Sequence, residues 1–138
     1  MDNTEGTLML PAPTGRWFHP ALGFFLLRLV VGLVFLSHGV DKFQNMESTI
    51  AFFASLGMPV FLAYFVATVE TLGGIALILG LFSRIAGVLL AIVMVVAVFS
   101  VTWPAGGWTG SELELTLLAS NLALALIGPG AWAIKKNL

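Results

Sequence analysis

The sequence predicts an all-α integral membrane protein, a four-helix bundle with a short interfacial helix between spans 1 and 2. The first observation behind this prediction is composition, since 59% of the 138 residues are hydrophobic and only 9% are charged. An average soluble domain is about 25% charged, and a soluble chain of this length leaves too much surface in water to hide so many apolar side chains. The second observation is that the apolar residues fall into four runs, each about long enough to cross ~30 Å of hydrocarbon as a helix.

The four predicted spans are bounded by residues that begin or end helices. They cover residues 20–40, 59–80, 84–103 and 112–129. Pro20 and Pro59 stand where the first turn of a helix tolerates proline, and Ser111 followed by Glu114 matches a capping box at the start of the fourth span. The period-two alternation of a transmembrane β-barrel is absent. We therefore expect a single membrane domain over residues 20–131.

The segment 41–57, between the first two spans, has a different pattern. Phe43, Met46, Ile50 and Phe53 recur at helical spacing, and polar residues fill most of the other positions. This pattern predicts a short amphipathic helix. Such a helix can lie in the membrane interface, or it can pack on the bundle as an ordinary loop helix, and the sequence is compatible with both.

Lysine and arginine residues near the ends of the spans predict the orientation. Four spans place both termini on one side of the membrane, together with the link between the second and third spans. The cations on that side are Arg16, Arg84, Lys135 and Lys136. The other side has only Lys42. The positive-inside rule therefore predicts a cell (inner) membrane protein with both termini cytoplasmic, a polar N-terminal tail over 1–19 and a cytoplasmic tail over 132–138.

Composition also excludes several classes of function. A net charge of −1 gives no reason to expect nucleic acid. The chain has no cysteine, which excludes disulfides, iron–sulfur clusters and covalently attached haem. His19 and His38 are roughly 28 Å apart along a helix and cannot clamp one haem. No metal site is predicted, and we expect no redox cofactor that belongs to this chain alone.

Two ionisable residues inside the spans are costly, because a charge at the centre of a membrane helix costs ~2.5–3.5 kcal/mol even on insertion scales. Arg28 follows Pro20 by about 12 Å of helix, and Glu70 precedes Gly80 by about 15 Å. Because the two helices are expected to be antiparallel neighbours, the sequence predicts an Arg28–Glu70 ion pair. This pair can be a lock between two helices, or it can anchor a polar ligand or a proton path.

A second polar group is predicted near the outer ends of the first and fourth spans. His38 lies on the same helical stripe as Arg28, and Glu112 and Glu114 open the fourth span. If those two spans touch, the group is either a hydrated rim or a proton-transfer or head-group site in which His38 titrates. The candidate ligand-binding residues are therefore Arg28, His38, Glu70 and Glu114.

Several motifs resemble those of the DoxX family of small membrane proteins, over residues 22–132. They are Leu27-Arg28-Leu29, Gly32, Phe35, His38-Gly39, Lys42-Phe43, Leu56-Gly57-Met58-Pro59, Val69-Glu70 with Gly73-Gly74, Leu79-Gly80-Leu81-Phe82-Ser83-Arg84, and the stretch from Glu112–Glu114 to Gly128-Pro129-Gly130. The family is similar to the membrane subunit of an archaeal thiosulfate:quinone oxidoreductase. The resemblance implies an association with a membrane oxidoreductase and a quinone. The positions it implies are Arg28, His38, Lys42, Glu70, Arg84 and Glu114.

Two classes of function follow from the sequence. The first is a subunit or accessory of a membrane oxidoreductase system, with a quinone or lipid site and electrons supplied by partner subunits. The alternative is a non-enzymatic binder, carrier or scaffold for a small apolar molecule or a partner protein; a carrier this small is expected to form a homo-oligomer. No nucleophile–base constellation stands out, so no catalytic residue is assigned.

Overall fold

The computed structural model of the protein describes residue 15, residues 19–130 and residues 132–134. These residues form helices α1 (Pro20–Gln44), α2 (Met46–Ser55), α3 (Val60–Leu79) and α4 (Ser83–Ala97), a π-helical turn (Val98–Thr102, the π-turn), α5 (Trp103–Gly110) and α6 (Glu112–Ile127). There is no strand in this described part, and the all-α prediction is confirmed. The N-terminal tail expected over 1–19 lies outside the described residues except for Gly15 and His19, as do Arg16, Lys135 and Lys136.

Among the described residues, three helical stretches are long and apolar enough to cross a membrane. They are α1 with 25 residues, α3 with 20, and the run Ser83–Gly110 with 28. The fourth predicted span, α6, has 16 residues and is therefore about 24 Å long, which is shorter than the hydrocarbon core. It packs along α4. The predicted bounds need two corrections, since α1 continues to Gln44 and the loop expected between the last two spans is the helix α5.

Helix α2 confirms that a separate short helix lies between the first two spans. Asn45 ends α1, and its side-chain amide donates hydrogen bonds to the Asp41 carbonyl at 3.1 Å and to the Asp41 carboxylate at 3.0 Å. Phe53 is buried against the bundle, whereas Glu47 is exposed. The helix therefore packs on the bundle, as expected for a loop helix. Its position in the membrane interface stays a prediction.

Close contact between α1 and α3 depends on glycine. A Cβ atom on Gly74 would lie 2.6 Å from the Leu36 nitrogen and 2.7 Å from the Gly32 oxygen, so the two backbones touch there. A Cβ atom on Gly39 would lie 2.6 Å from the Thr71 nitrogen. Small residues allow this approach between membrane helices. The contact fixes the register of the two helices, and Glu70 lies one turn from Gly74.

We expect Gly74→Ala to lower the stability of the protein by about 1–3 kcal/mol, the usual cost of forcing extra volume into a packed interior. The new methyl group would meet backbone atoms, which cannot rotate away. The matched control is Gly23→Ala, because no described atom lies within 4 Å of its Cβ position. Thermal unfolding in detergent measures both variants. Equal midpoints for the two would contradict the close packing.

The end of the bundle opposite α2 is covered by residues 128–130 and 132–134, which we call the C-terminal strap. The Arg28 guanidinium donates hydrogen bonds to the Pro129 carbonyl and, at 3.1 Å, to the Trp132 carbonyl. The Trp132 ring meets Phe25 edge-on at 5.1 Å between centroids. The Ile134 amide donates to a carbonyl at the end of α3, that of Leu79, at 3.1 Å. The strap thus lies across the end of α3 and against α1 at Phe25 and Arg28.

Candidate functional site

The predicted Arg28–Glu70 pair is wrong. Arg28 is 1% exposed and donates to the strap carbonyls. The prediction assumed that Pro20 and Gly80 lie at the same depth. In the structure a Cβ atom on Gly80 would lie 3.0 Å from Arg28 Nη1, so α3 ends level with Arg28. Helix α1 therefore begins about two turns beyond the end of α3, and Glu70 lies about 15 Å further along the bundle.

Glu70 pairs with Lys42. Lys42 Nζ lies 2.6 Å from Glu70 Oε2, and the two side chains are 23% and 5% exposed. Lys42 is in the last turn of α1, whereas Glu70 is midway along α3. A lysine near a helix end usually extends towards water. This one extends towards the interior of the bundle, where it neutralises the buried carboxylate.

The ion pair forms part of the wall of a cavity of ≈ 410 Å³ in the α2 half of the bundle. This volume lies in the range of small-molecule sites, which are mostly apolar with a few placed polar groups. The aromatic side chains in the wall are Phe35, Phe52, Phe53 and Phe65. The polar side chains are His38, Lys42, Glu70, Ser100, Thr102 and Glu114.

Three of the four predicted ligand-binding residues meet in this cavity. His38, Glu70 and Glu114 line it, whereas Arg28 lies at the other end of the bundle. Within the described part of the chain, His38 and Glu114 make no hydrogen bond through their side chains. Glu112 is exposed and does not line the cavity. Helices α1 and α6 contact each other, and Glu114, but not Glu112, lines the cavity together with His38.

Reasoning from spacing missed Lys42 as a site residue, although the family resemblance included it. The signal was present, because position 42 follows His38 by four residues and continues the buried stripe of α1. Ser100 and Thr102 were missed for a different reason. They line the cavity from the π-turn that follows α4, and no pattern in the sequence predicts a π-helical turn.

The predicted capping box at the start of α6 is not formed. Ser111 is the residue before α6, but it makes no side-chain capping bond. Its Oγ instead donates to the Gly107 carbonyl at 2.8 Å and accepts from Thr102 Oγ1 at 2.9 Å. Glu114 is therefore not engaged as a capping partner and is available to the cavity.

The chemistry available in the cavity is hydrogen bonding in an apolar setting. The Lys42 ammonium can donate to a ligand oxygen, and the second Glu70 oxygen has no donor among the described residues and can accept. His38 can do either. Such bonds are stronger where water is excluded. In the described part of the chain, no group of three His, Cys, Asp or Glu side chains could hold a metal ion.

These features define a helical integral membrane protein with a mostly apolar cavity, into which a few polar side chains project, in one half of its bundle. The chain belongs to the DoxX family, whose model matches residues 23–103. It is 42% identical to "Putative oxidoreductase CatD" of Bacillus subtilis (strain 168) over 107 residues, which is 78% of this chain and 80% of the relative.

Two further relatives are membrane proteins by name. The chain is 34% identical over 128 residues to "Uncharacterized membrane protein Rv3486" of Mycobacterium tuberculosis (strain ATCC 25618 / H37Rv), over 81% of this chain and 78% of the relative. It is 25% identical over 120 residues to "Inner membrane protein YqjF" of Escherichia coli (strain K12), which is 85% of this chain and 92% of the relative. No solved structure matches the chain significantly.

Proposed function

We propose that this protein is a subunit or accessory of a membrane oxidoreductase system that holds a quinone-like or lipid molecule in its cavity. The observation that carries the proposal is an apolar cavity of ≈ 410 Å³ with the Lys42–Glu70 pair in its wall. An intramembrane ion pair that faces a cavity is a candidate ligand site. The name of the Bacillus relative, "Putative oxidoreductase CatD", supports the redox setting.

The residues of the cavity fit a quinone. Four phenylalanine side chains provide apolar contacts for a planar ring. The Lys42 ammonium would donate to a ring carbonyl of the oxidised form, and the free oxygen of Glu70 would accept from a hydroxyl of the reduced form. A quinone supplies two-electron, two-proton redox chemistry when bound, and the electrons come from a partner subunit. The paired donor and acceptor thus serve both forms of one ligand.

We expect a quinone or a quinone analogue to bind the purified protein, and Glu70→Gln to weaken this binding about tenfold or more. A hydrogen bond to a charged group contributes about 1.5–3 kcal/mol, which corresponds to such a factor. Native mass spectrometry after gentle extraction measures what is retained. The matched control is Glu112→Gln, which changes an exposed carboxylate near the same end. Equal retention by both variants would remove Glu70 from the site.

The alternative is a non-enzymatic binder, carrier or scaffold for a small apolar molecule. It is favoured by the cavity wall itself, because the close pair of ionisable groups that the described residues form there is an ion pair and not a nucleophile with its base. Native mass spectrometry separates the two functions, since a non-enzymatic binder would retain phospholipid or another apolar molecule and no quinone. Unchanged quinone reduction in membranes after deletion of the gene would also support the alternative.

We also propose the orientation in which both termini are cytoplasmic and the α2 end faces the exterior. Arg84, an exposed cation at the strap end, and the tail lysines outside the described residues support it. A cysteine introduced at Ser48, which is exposed on α2, should react with a membrane-impermeant thiol reagent added to intact cells. Reaction only after lysis would reverse the orientation.

A further inference from the structure

The cavity begins beyond a close contact between α3 and α4. A Cβ atom on Gly73 would lie 3.1 Å from the Leu90 side chain, so the two helices touch at that level. Between this contact and the strap end both helices are described in full, and neither lines the cavity. On the α2 side of the contact both do, α3 through Leu62, Phe65, Val66 and Glu70, and α4 through Ile92, Val93, Met94, Val96 and Ala97. The two helices thus form one side of the cavity.

This side of the cavity is apolar and reaches the outer surface of the bundle. Every residue through which α4 lines the cavity is apolar, and so are those of α3 except Glu70. Phe65 and Ile92 line the cavity and are nevertheless each 54% exposed, and Val96 is 46% exposed. A side chain that belongs both to a cavity wall and to the outer surface lies at an edge of that wall. We call Phe65, Ile92 and Val96 the rim.

The rim lies at the height of the hydrocarbon chains of the bilayer. Ile92 and Val96 follow Ser83, the first residue of α4, by nine and thirteen residues, or about 14 and 20 Å. Phe65 precedes Leu79, the last residue of α3, by fourteen residues, or about 21 Å. Because a short turn joins α3 to α4, these distances start from the same end of the bundle. A hydrocarbon core of ~30 Å therefore surrounds the rim.

The polar groups of the cavity come mainly from the opposite side. Helices α1 and α4 are diagonal in the bundle, since each packs against both α3 and α6. His38 and Lys42 line the cavity from α1, and Glu114 lines it from α6. The ion pair with Lys42 brings the Glu70 carboxylate to the same group. The cavity is thus amphipathic, with polar groups inside and an apolar rim towards lipid.

Charge and volume restrict what the cavity can hold. The Lys42 ammonium is paired with Glu70, and Glu114 has no partner cation in the described part of the chain. A phosphate or sulfonate head would therefore meet a carboxylate and an already neutralised ammonium. The volume of ≈ 410 Å³ is near the lower end of the range of about 300–1,000 Å³ for ligand sites. A head group and the first part of a chain would fill it.

We propose that the cavity opens sideways into the bilayer between α3 and α4 and binds the uncharged head of a long-chain amphiphile, whose chain leaves past the rim. The Lys42 ammonium donates to the head, and the second Glu70 oxygen accepts from it. The inference rests on the proposed function only in assigning the cavity a ligand, and it names the class of that ligand. Entry needs no passage through water.

The route can be tested by thiol labelling, because the natural chain has no cysteine. Met94→Cys places a thiol in the cavity wall at a position only 6% exposed, and Leu122→Cys places one on the exposed face of α6. The reagents are an uncharged alkyl methanethiosulfonate and its anionic and cationic analogues, and intact-mass spectrometry follows labelling in membranes. At Met94→Cys we expect the uncharged reagent to react at least about tenfold faster than either ion, since an ion is costly to move into an apolar medium.

Changes at the rim should alter this rate in both directions. We expect Val96→Trp to slow uncharged labelling of Met94→Cys about fivefold or more, because added bulk in a packed gap has to be pushed aside. Phe65→Ala should speed it. The matched controls are Val95→Trp and Tyr64→Ala, which change exposed neighbours that do not line the cavity. Neither rim variant should change labelling of Leu122→Cys, and opposite effects from the two cannot both come from misfolding.

The position of the chain is tested by protection of Met94→Cys from labelling. The probes are monoacylglycerols of increasing chain length, added at equal mole fraction in the membrane. Protection should persist at the longest chains, because a chain that leaves past the rim has no length limit. A lysophosphatidate of the same chain is the control for the head, and its anionic phosphate should make it protect about tenfold less well.

Four results would overturn the proposal. Labelling by the ions as fast as by the uncharged reagent would show an aqueous mouth, such as the α1–α6 side where exposed His38 and Leu113 line the cavity. Unchanged rates in both rim variants, with unaltered unfolding midpoints, would place the route elsewhere, such as beside Phe52 on α2. A sharp chain-length cut-off would show an enclosed site, and equal protection by the lysophosphatidate would remove the uncharged head. No readout uses quinone, so failure of quinone binding with these results intact would count against the proposed function alone.

Discussion

Lys42→Met is expected to lower the free energy of unfolding by about 3–5 kcal/mol, the usual cost of removing one partner of a buried ion pair. The substitution leaves the Glu70 carboxylate midway along α3 with a side chain only 5% exposed. Glu70→Gln should cost distinctly less. Lys42 is in the last turn of α1 and can extend towards water once its partner is gone.

Denaturant titration in mixed micelles measures both single variants and the double variant Lys42→Met with Glu70→Gln. The double variant should regain most of the stability lost by Lys42→Met, because no unpaired charge remains in the bundle. It should nevertheless fail to bind the ligand, which separates assembly from function. Additive losses in the double variant would mean that the two side chains do not depend on each other.

Arg28→Met is expected to lower the stability by about 2–4 kcal/mol and to release the strap. The Pro129 and Trp132 carbonyls would lose their donor, and an unsatisfied buried acceptor costs about 1–3 kcal/mol. Arg28→Lys should recover only part of the loss, because a single ammonium lacks the forked geometry of a guanidinium. Protease sensitivity after residue 127 and the fluorescence of Trp132 report the release.

Arg84→Met is the matched control for this prediction. Arg84 also donates to backbone carbonyls, those of Ala125 and Leu126, each at 3.2 Å. It is exposed, so water can replace it there, and the loss should be below about 1 kcal/mol. A loss as large as that of Arg28→Met would mean that burial is not what makes Arg28 important.

The sequence was sufficient to predict the class of protein and to single out His38, Glu70 and Glu114, which line the cavity. The amount of apolar sequence leaves few alternatives to membrane helices, and the cost of intramembrane charge identifies Glu70 as a residue that needs a partner. The position of His38 and Glu114 near the ends of their helices was enough to expect them on the same side. These inferences depend on helical periodicity and on the position of a residue along its span, and both can be counted in a sequence.

The choice of partners could not be predicted in the same way. The Arg28–Glu70 pairing depended on how far α1 slides along α3, and that offset is set by backbone contact at Gly74 and Gly39. An error of two helical turns in this offset placed Arg28 in the middle of the bundle in the prediction, whereas the structure places it at one end. The π-turn could not be predicted either, since the sequence from Val98 to Thr102 has an ordinary helical composition for a membrane span.

The inward turn of Lys42 also has an electrical consequence. Asp41, Glu47 and Glu112 are exposed at the α2 end, and among the described residues that end has no exposed cation. In the proposed orientation these carboxylates face the positive side of the membrane potential, which acts on each elementary charge with about 2.3 kcal/mol per 100 mV. Inversion of the bundle would carry them against this field. Because Lys42 is paired with Glu70 inside the bundle, it does not offset the exposed carboxylates at the α2 end. That end therefore carries a net negative surface charge, and in the proposed orientation the resting membrane potential opposes inversion of the protein.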